Sequence, residues 1–361
     1  MMRPTRRQFL SAAGTVASTG AMCATPWRVL AQTGVRPAPN MPKPSFIETN
    51  GIRMGIYDEG AGFPVVFCHG FPELAYSWRH QVKAFSEAGY RAIAPDQRGY
   101  GLTDRPKEIS DYTVKTLCDD MVGLLDALGL RRAVFCGHDW GGGVVWMMPR
   151  YYPERTAGVI GVNTPTSHPD HPGTRNPNIV QTPRYYVATF QPPGVADAAL
   201  AKDVRETFHM ILRTGGFWDA DEFANLPEDS LERRVDLLGM LEAGDFTGKL
   251  IMTESELAYF IDTFETTGFT GGLNWYRAAV QIGPGSDDVD NWDIEAPCLY
   301  IGAENDVILP PNSGDHIGNF VSNFERYTVE GCGHWTQQEK PDEFNRVAIA
   351  WLKDKFGGLK A

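Results

Sequence analysis

A stretch near the middle of the chain, residues 134–143, places an aspartate between glycines directly after a short apolar run. The run predicts a buried strand, and the apolar residues beyond the glycines recur at helical spacing. The spacing of Gly137, Asp139 and Gly141 therefore predicts a tight strand-to-helix turn whose central side chain projects from the sheet. Backbone N–H groups at the start of that helix favour negative charge, which suits a carboxylate nucleophile and a developing oxyanion.

Two further residues with acid/base chemistry follow in the order acid, then histidine. Asp306 comes just after an apolar run, and His334 lies in a glycine-bracketed loop after the last predicted strand. In an open α/β sheet, reactive groups gather at the carboxyl ends of the strands. We therefore expect Asp139 to be the nucleophile, His334 the general base and Asp306 the carboxylate that orients it. Glu304 and Glu339 are alternative partners of the histidine, and Asp306 is preferred.

An aspartate nucleophile defines the reaction. Its carboxylate attacks an sp³ carbon and displaces a leaving group, so that an ester forms between enzyme and substrate. His334 would then activate a water that attacks the carbonyl carbon of this ester on Asp139. The backbone N–H groups of Trp140 and Phe71 are the expected oxyanion hole. The peptide bond before Pro72 is a candidate for the cis form.

The elements that position these residues follow from hydrophobic periodicity. Strands are predicted at residues 46–49, 52–57, 65–68, 91–95, 134–136, 158–162, 298–302 and 325–329. Asn50-Gly51 predicts the hairpin turn between the first two strands. Helical spacing follows at 78–85, 114–128 and 342–356. Alternating strands and helices predict an α/β fold with a mostly parallel, doubly wound sheet.

The alternation stops after residue 163. Proline-rich loops and helical stretches such as 203–212 and 254–264 occupy the next part of the chain. A connection of this length is too long for a simple loop, so it predicts an inserted helical cap over the site. The predicted organisation is a signal at 1–31, a linker at 32–43, core at 44–163, cap at 164–285 and core again at 286–361.

The first 31 residues form a separate unit. They contain four arginines and no acidic residue, and the Arg6-Arg7 pair precedes a mildly apolar run of small residues. This pattern resembles a twin-arginine secretion signal with cleavage near Ala31. We expect a bacterial protein that is exported by the twin-arginine machinery to the periplasm or beyond. The run is too short and too rich in small residues for a membrane span.

Composition limits the partners. The 361 residues are 42% apolar and carry a formal charge of −12, which disfavours nucleic acid and anionic membrane surfaces. Cys68, Cys136 and Cys298 lie in apolar runs and are expected to be buried free thiols. No CxxC pair or zinc spacing occurs, so neither a metal nor a cofactor is predicted. The sequence permits a homodimer without requiring one.

Several segments resemble epoxide hydrolases of the α/β-hydrolase superfamily, namely residues 69–73, 96–101, 137–142, 186–194 and 272–277. The resemblance extends over about residues 44–356 and implies an α/β-hydrolase fold with a cap. It also implies cofactor-independent hydrolysis of a small apolar epoxide by water, giving a vicinal diol. From the resemblance, Tyr186 and Tyr276 are the cap tyrosines that donate protons, with Tyr185 as the alternative to Tyr186.

The tyrosine pair has a physical reason. Opening an epoxide generates an alkoxide, which is a poor leaving group until it is protonated, and two phenols can hydrogen-bond the ring oxygen. Aromatic residues dominate the expected pocket wall, which comprises His69, Pro72, Trp140, Phe190, Trp275 and Trp335.

Three alternative functions are distinguishable. A haloalkane dehalogenase shares the Asp-Trp elbow and the triad but needs no proton donor for its halide. A serine esterase is disfavoured because no Gly-x-Ser-x-Gly occurs in the chain. A catalytically silent binding protein would bind ligand without turnover.

Overall fold

An eight-stranded sheet runs through the centre of the structure, a computed structural model that describes residues 34–171, 173, 176–214, 220–283 and 289–358. Its strands are β1 (Ser45–Thr49), β2 (Ile52–Glu59), β3 (Pro64–Cys68), β4 (Arg91–Pro95), β5 (Ala133–His138), β6 (Thr156–Val162), β7 (Cys298–Ala303) and β8 (Phe324–Val329). Their spatial order is β1-β2-β4-β3-β5-β6-β7-β8, so all eight predicted strands are confirmed. The predicted twin-arginine signal lies outside the described residues.

The pairing of the strands explains their composition. β1, β2 and β4 are joined by antiparallel pairing, and all pairs from β4 through β3 to β8 are parallel. Every residue of β3, β5, β6 and β7 is buried. Strands covered by helices on both faces need apolar side chains throughout, which accounts for their continuous apolar runs. At the predicted hairpin turn, Asn50 and Gly51 both have positive φ.

Helices of the core flank this sheet. They are α1 (Arg79–Glu87), α2 (Val114–Ala127), α3 (Trp140–Tyr151), α11 (Thr336–Glu339) and α12 (Pro341–Phe356). The last of these begins with a proline at its first position and carries Asp342 and Glu343 in its first turn, which complements the helix dipole. All five cysteines beyond the predicted signal are buried and free.

The described residues between β6 and β7 form seven α-helices. They are α4 (Tyr186–Thr189), α5 (Val195–Ala201), α6 (Val204–Ile211), α7 (Ala220–Asn225), α8 (Leu237–Ala243), α9 (Glu254–Thr267) and α10 (Thr270–Gln281). Edge-to-face and tilted aromatic contacts join α6, α9 and the start of α10 through Phe208, Phe264 and Phe269. This helical layer covers the carboxyl ends of the strands, where the site residues lie.

The segment before β1 packs on both layers. Val35 and Ala38 are buried, and the Ala38 N–H donates to the Tyr57 hydroxyl of β2. Arg36 pairs with Asp262 on α9. This part of the predicted linker therefore packs across the boundary between core and cap. Among the described residues, no helix is both long and apolar enough to cross a membrane.

Candidate active site

The turn between β5 and α3 displays Asp139 at the carboxyl edge of the sheet. Asp139 has φ 50° and ψ −121°, a strained conformation for a residue with a side chain. A Cβ on Gly137 would lie 2.3 Å from the Gly141 carbonyl oxygen, and one on Gly141 would lie 2.1 Å from that of Cys68. Only glycine fits at these two positions, so the predicted elbow is tight because backbones meet there.

Asp139, Asp306 and His334 meet at this edge, as their order in the chain predicts. His334 Nδ1 lies 2.8 Å from Asp306 Oδ2, and His334 Nε2 lies 3.9 Å from Asp139 Oδ2. The second distance is too long for a hydrogen bond. The base and the nucleophile are thus adjacent but not bonded to each other.

Asp306 is held on every side. Its Oδ1 accepts the N–H groups of Ile308 and Leu309, each at 2.9 Å. The Asn163 amide donates to Oδ2 at 2.8 Å, and Thr336 donates to the Asn163 amide oxygen at 2.7 Å. Asn163 has a positive φ, 59°, and directly follows β6. Asn163 is not among the predicted site residues, because its position just after a buried strand is its only local signal.

Two backbone N–H groups hold the nucleophile. The Phe71 N–H donates to Asp139 Oδ1 at 2.8 Å, and the Trp140 N–H also donates to this carboxylate. These are the two predicted oxyanion-hole donors. Because Asp139 Oδ1 occupies the oxyanion hole, Asp139 Oδ2 faces the cavity and His334. The Phe71–Pro72 peptide bond is cis, as predicted.

The electrostatics of the triad are coupled. Burial raises the pKa of Asp139, although His334 and the backbone donors act in the opposite direction. Burial acts to raise the pKa of Asp306 as well, but His334 and the hydrogen bonds outweigh it and lower that pKa. Burial acts to lower the pKa of His334, yet Asp306 and Asp139 raise it to about 9. His334 is therefore an imidazolium at neutral pH in the free enzyme, next to both acids of the triad.

Tyr186 and Tyr276 approach Asp139 from the cap. Their ring centroids lie 5.8 Å apart, and both side chains line a cavity with Asp139. Burial, followed by Tyr185 and Asp139, raises the pKa of Tyr186 well above its ordinary value, and burial followed by Asp139 does the same for Tyr276. Both phenols are therefore protonated at neutral pH and can donate. Tyr186, rather than Tyr185, is the tyrosine that lines the cavity.

Three of the six predicted wall residues line the cavities next to Asp139. Pro72 and Trp335 line the cavity on the side of His334, and Trp140 lines a second cavity on the other side of the tyrosines. The aliphatic residues of the wall were not predicted; they include Ile211, Val235, Leu237, Ile308 and Leu309. Aliphatic residues in loops and helices carry no local signal that separates a pocket wall from ordinary core.

The other three predicted wall residues lie behind the cavities. His69 is fully buried, and its Nε2 accepts the Gln97 N–H at 3.1 Å while its Nδ1 donates to the Gly70 carbonyl at 2.9 Å. Phe190 is fully buried with its ring edge-to-face on Tyr276, and the Trp275 indole donates to a core carbonyl at 3.1 Å. These side chains support the wall rather than form it, because their polar atoms and faces are already occupied.

A second buried acid–histidine pair lies behind the triad. Glu73 Oε2 lies 2.7 Å from His138 Nδ1 and accepts the Gly70 N–H at 2.8 Å. His138 Nε2 lies 2.7 Å from the carbonyl oxygen of His334. The His138 ring thus bridges the Glu73 carboxylate and the His334 carbonyl. Burial acts to raise the pKa of Glu73, but His138 and the N–H donor lower it to about 2.

The comparisons with known proteins agree with this geometry. Residues 64–341 match the family model for the alpha/beta hydrolase fold. The chain is 38% identical to bifunctional epoxide hydrolase 2 of Rattus norvegicus over 85% of its own length and 54% of the relative. It thus spans about half of that relative. It is 36% identical to epoxide hydrolase A of Mycobacterium tuberculosis, covering 86% of this chain and 97% of the relative.

Solved structures show the same likeness. The crystal structure of epoxide hydrolase A from Mycobacterium thermoresistibile superposes with a TM-score of 0.73 at 34% identity, covering 88% of this chain and 99% of that one. Epoxide hydrolase VrEH1 from Vigna radiata gives a TM-score of 0.70 at 29% identity, covering 88% of this chain and 100% of that one. The likeness thus includes both the core and the cap.

Proposed function

The chain belongs to the epoxide hydrolase family of the alpha/beta hydrolase fold, and we propose that it hydrolyses an apolar epoxide to a vicinal diol through an ester on Asp139. The observation that carries this proposal is the pair Tyr186 and Tyr276 facing the nucleophile in one cavity that also contains His334. A carboxylate, a base and two phenols around one small volume are the groups that epoxide opening and ester hydrolysis require.

Ring opening is the first step of the proposed mechanism. Asp139 Oδ2 attacks a ring carbon, the bond between that carbon and the ring oxygen breaks, and a covalent ester forms. The ring oxygen takes a proton from Tyr186 or Tyr276, so the alkoxide never leaves as a free base. The other tyrosine supports the same oxygen with a hydrogen bond.

Ester formation changes the protonation of the site. It removes the negative charge of Asp139, which is one cause of the raised pKa of His334. The pKa of His334 therefore falls, and its proton can replace the one that the tyrosine has lost. His334 then accepts a proton from water as the water oxygen attacks the ester carbonyl carbon. The Phe71 and Trp140 N–H groups hold the resulting oxyanion. As it collapses, the bond between the carbonyl carbon and the substrate oxygen breaks, that oxygen takes the proton from His334, and the diol departs. The carboxylic acid left on Asp139 passes its proton to His334, which restores the free enzyme.

Product analysis tests the function. Purified protein is incubated with an aryl epoxide and, separately, with a bromoalkane of similar size, and diol and bromide are measured. The proposal predicts diol formation that is abolished in Asp139→Asn. Bromide release without diol formation would make the protein a dehalogenase, and ligand binding without either product would support a non-catalytic role.

The proposal includes export. The Arg6-Arg7 pair and the small-residue run that follows support a twin-arginine signal and a periplasmic or secreted location in a bacterium. An Arg6→Lys, Arg7→Lys double variant expressed in a bacterial host should remain uncleaved in the cytoplasm, while the unaltered chain is cut near Ala31. Cytoplasmic retention of both proteins would contradict it. Light scattering on the cleaved protein distinguishes a monomer from a homodimer.

A further inference from the structure

Two cavities of different size meet at the reacting groups. Asp139, Tyr186 and Tyr276 line both of them. The cavity on the His334 side has a volume of about 60 Å³, and the one on the far side has a volume of about 330 Å³. An epoxide bound to the two phenols therefore has one substituent pointing into each cavity. We name them the base-side cavity, which contains His334, and the long arm, which does not.

The base-side cavity must accommodate the hydrolytic water. His334 lines this cavity and not the long arm, so the water that it activates lies here. With a volume of about 60 Å³ against about 330 Å³ for the long arm, the base-side cavity holds this water and the smaller substituent of the epoxide. The base-side cavity thus limits the second substituent of the epoxide.

The long arm is built for an apolar chain. Apart from the shared reacting groups, its wall comprises Trp140, Gly143, Thr164, Val187, Ala279, Val280 and Leu309, none of them charged. Val280 is 56% exposed on α10, which places it at the solvent end of the arm. A substituent that enters beside Asp139 can therefore extend past apolar side chains toward the surface.

Gly143 keeps this arm open. The neighbouring glycines are fixed by packing, since a Cβ on Gly142 would lie 2.5 Å from the Thr164 Cβ and one on Gly141 would meet backbone. A Cβ on Gly143 would meet only Trp140 Cε3, at 3.9 Å. Gly143 lies inside α3, where glycine costs about 1 kcal/mol relative to alanine. Helix stability and packing both permit a side chain here, and the space that one would fill is the arm.

We propose that Gly143 is a specificity-determining residue, and that the preferred substrates are epoxides with one long unbranched apolar substituent in the long arm and a shorter substituent, or hydrogen, on the other ring carbon. This inference rests on the proposed function and adds the substrate class to it. Affinity should rise with the length of the long substituent until the chain reaches the solvent end at Val280. Each methylene buried should strengthen binding roughly fourfold.

A graded series at Gly143 tests the proposal. Gly143→Ala, Gly143→Val and Gly143→Leu are assayed for kcat/KM on terminal epoxides with a short and with a long alkyl chain. The long-to-short ratio is kcat/KM for the long-chain epoxide divided by kcat/KM for the short-chain epoxide. It should fall stepwise along the series, by about tenfold or more for Gly143→Leu. Leu237→Phe is the matched variant, because it narrows the base-side cavity. It should reduce turnover of epoxides that carry a second alkyl group and leave the long-to-short ratio of terminal epoxides near that of the parent.

Binding of n-alkanols separates this inference from the function itself. The alkanol hydroxyl stands in for the epoxide oxygen between the two phenols, and no reaction is needed. Titration calorimetry should show affinity increasing with chain length in the parent and a weakened dependence in Gly143→Leu. If epoxides are hydrolysed but neither the ratio nor the alkanol series responds to position 143, the inference is wrong and the function stands. If alkanol affinity depends on chain length and on position 143 but no epoxide is hydrolysed, the long arm binds alkyl chains and the proposed function is wrong.

Discussion

Tyr186 and Tyr276 are the residues that separate epoxide opening from halide displacement in this site. Tyr276→Phe and Tyr186→Phe should each lower kcat/KM for an epoxide by about 10²-fold or more, because each removes a donor to the ring oxygen. Tyr185→Phe is the matched control, since Tyr185 contacts Tyr186 but does not line the cavity, and its effect should be below about tenfold. If Tyr186→Phe and Tyr276→Phe were as active on an epoxide as the Tyr185→Phe control, the two cavity tyrosines would not be the proton donors.

The two half-reactions should depend on the ionisation of different groups, Asp139 for ester formation and His334 for ester hydrolysis. Ester formation needs ionised Asp139, whose pKa is raised by burial, so its single-turnover rate should fall as the pH decreases through that pKa. Ester hydrolysis needs neutral His334. Its pKa is about 9 in the free enzyme, and the ester removes the contribution of Asp139. The hydrolysis rate should therefore rise with pH, with a midpoint below that of the free enzyme.

Rapid-quench mass spectrometry over a pH series measures both rates on the same protein. NMR titration of His334 in the free enzyme supplies the reference midpoint. A hydrolysis midpoint equal to or above the free-enzyme value would contradict the coupling between Asp139 and His334.

Sequence reasoning reached the triad because its signals are local. Glycines at fixed spacing around Asp139, and loops after apolar runs for Asp306 and His334, are visible within a few residues. The open space at Gly143 was not visible. Glycines 141–143 look alike in the sequence, but a Cβ on Gly141 or Gly142 would lie within 2.5 Å of a neighbouring atom, whereas one on Gly143 would lie no closer than 3.9 Å. Whether a glycine Cβ would meet backbone or a cavity depends on elements far away in the chain.

The strand β5 and the loop after β8 are joined by the buried Glu73–His138 pair. Glu73 also accepts the side-chain amides of Gln337 and Gln338 at 3.0 and 3.1 Å. The hydrogen bond from His138 to the His334 carbonyl fixes the backbone of the base relative to the nucleophile strand. His138 directly precedes Asp139 in the sequence, but its partner Glu73 lies 65 residues away, so no local pattern indicates the pair.

Glu73→Gln should destabilise the fold by about 3 kcal/mol or more at neutral pH, because it removes the fully buried carboxylate that pairs with His138 and accepts from Gly70 and two glutamines. The pKa of Glu73 falls from 4.5 to about 2 on folding, so its contribution is present above the higher value and is lost as the pH falls toward the lower one. The stabilities of parent and variant should therefore converge in acid. Denaturant unfolding at neutral and acidic pH measures this.

Glu304→Gln is the matched control in the same region. Glu304 accepts the Gly331 N–H at an exposed position, so its loss should change stability by about 0.5 kcal/mol or less. An equal effect of both substitutions would show that the buried pair has no special role.

At the scale of the whole molecule, the same network reaches the cap. Gln338 accepts from Arg79 at 2.8 Å, and Arg79 donates to Glu256 of α9 at 2.8 Å. The Arg79 side chain is only 5% exposed. Hydrogen bonds thus connect the loop of the catalytic base to a cap helix through Glu73, Gln338 and Arg79. The buried guanidinium of Arg79 therefore stabilises the contact between cap and core, in addition to aromatic packing.

Glu256→Gln should lower the free energy of unfolding by about 1 to 3 kcal/mol, because Arg79 stays buried without its carboxylate. Glu254→Gln on the same helix is the matched control. The side chains of Glu254 and its partner Arg205 are 62% and 58% exposed. The substitution should therefore change the free energy of unfolding by about 0.5 kcal/mol or less. Thermal unfolding of the two variants compares them directly. A larger loss of stability for Glu254→Gln than for Glu256→Gln would show that the Arg79–Glu256 pair is not an important contact between cap and core.

The sequence predicted the architecture far better than the cap interior. Continuous apolar runs identify buried parallel strands, and the break in alternation after β6 locates the insertion. Which cap side chains line a cavity, as Tyr186 does, and which support it, as Phe190 does, depends on how short helices cross. Those crossings are set by packing between segments that are distant in sequence, such as α4 and α10.

The central claim is that Asp139 becomes covalently bound to an epoxide carbon. Intact-protein mass spectrometry of His334→Gln, incubated with an aryl epoxide, tests it most directly because the base that hydrolyses the ester is absent. An adduct equal to the whole mass of the epoxide should accumulate, and it should be absent from the His334→Gln, Asp139→Asn double variant. An adduct that forms only with a bromoalkane, lighter by HBr than that reagent, or one that persists without Asp139, would contradict the mechanism.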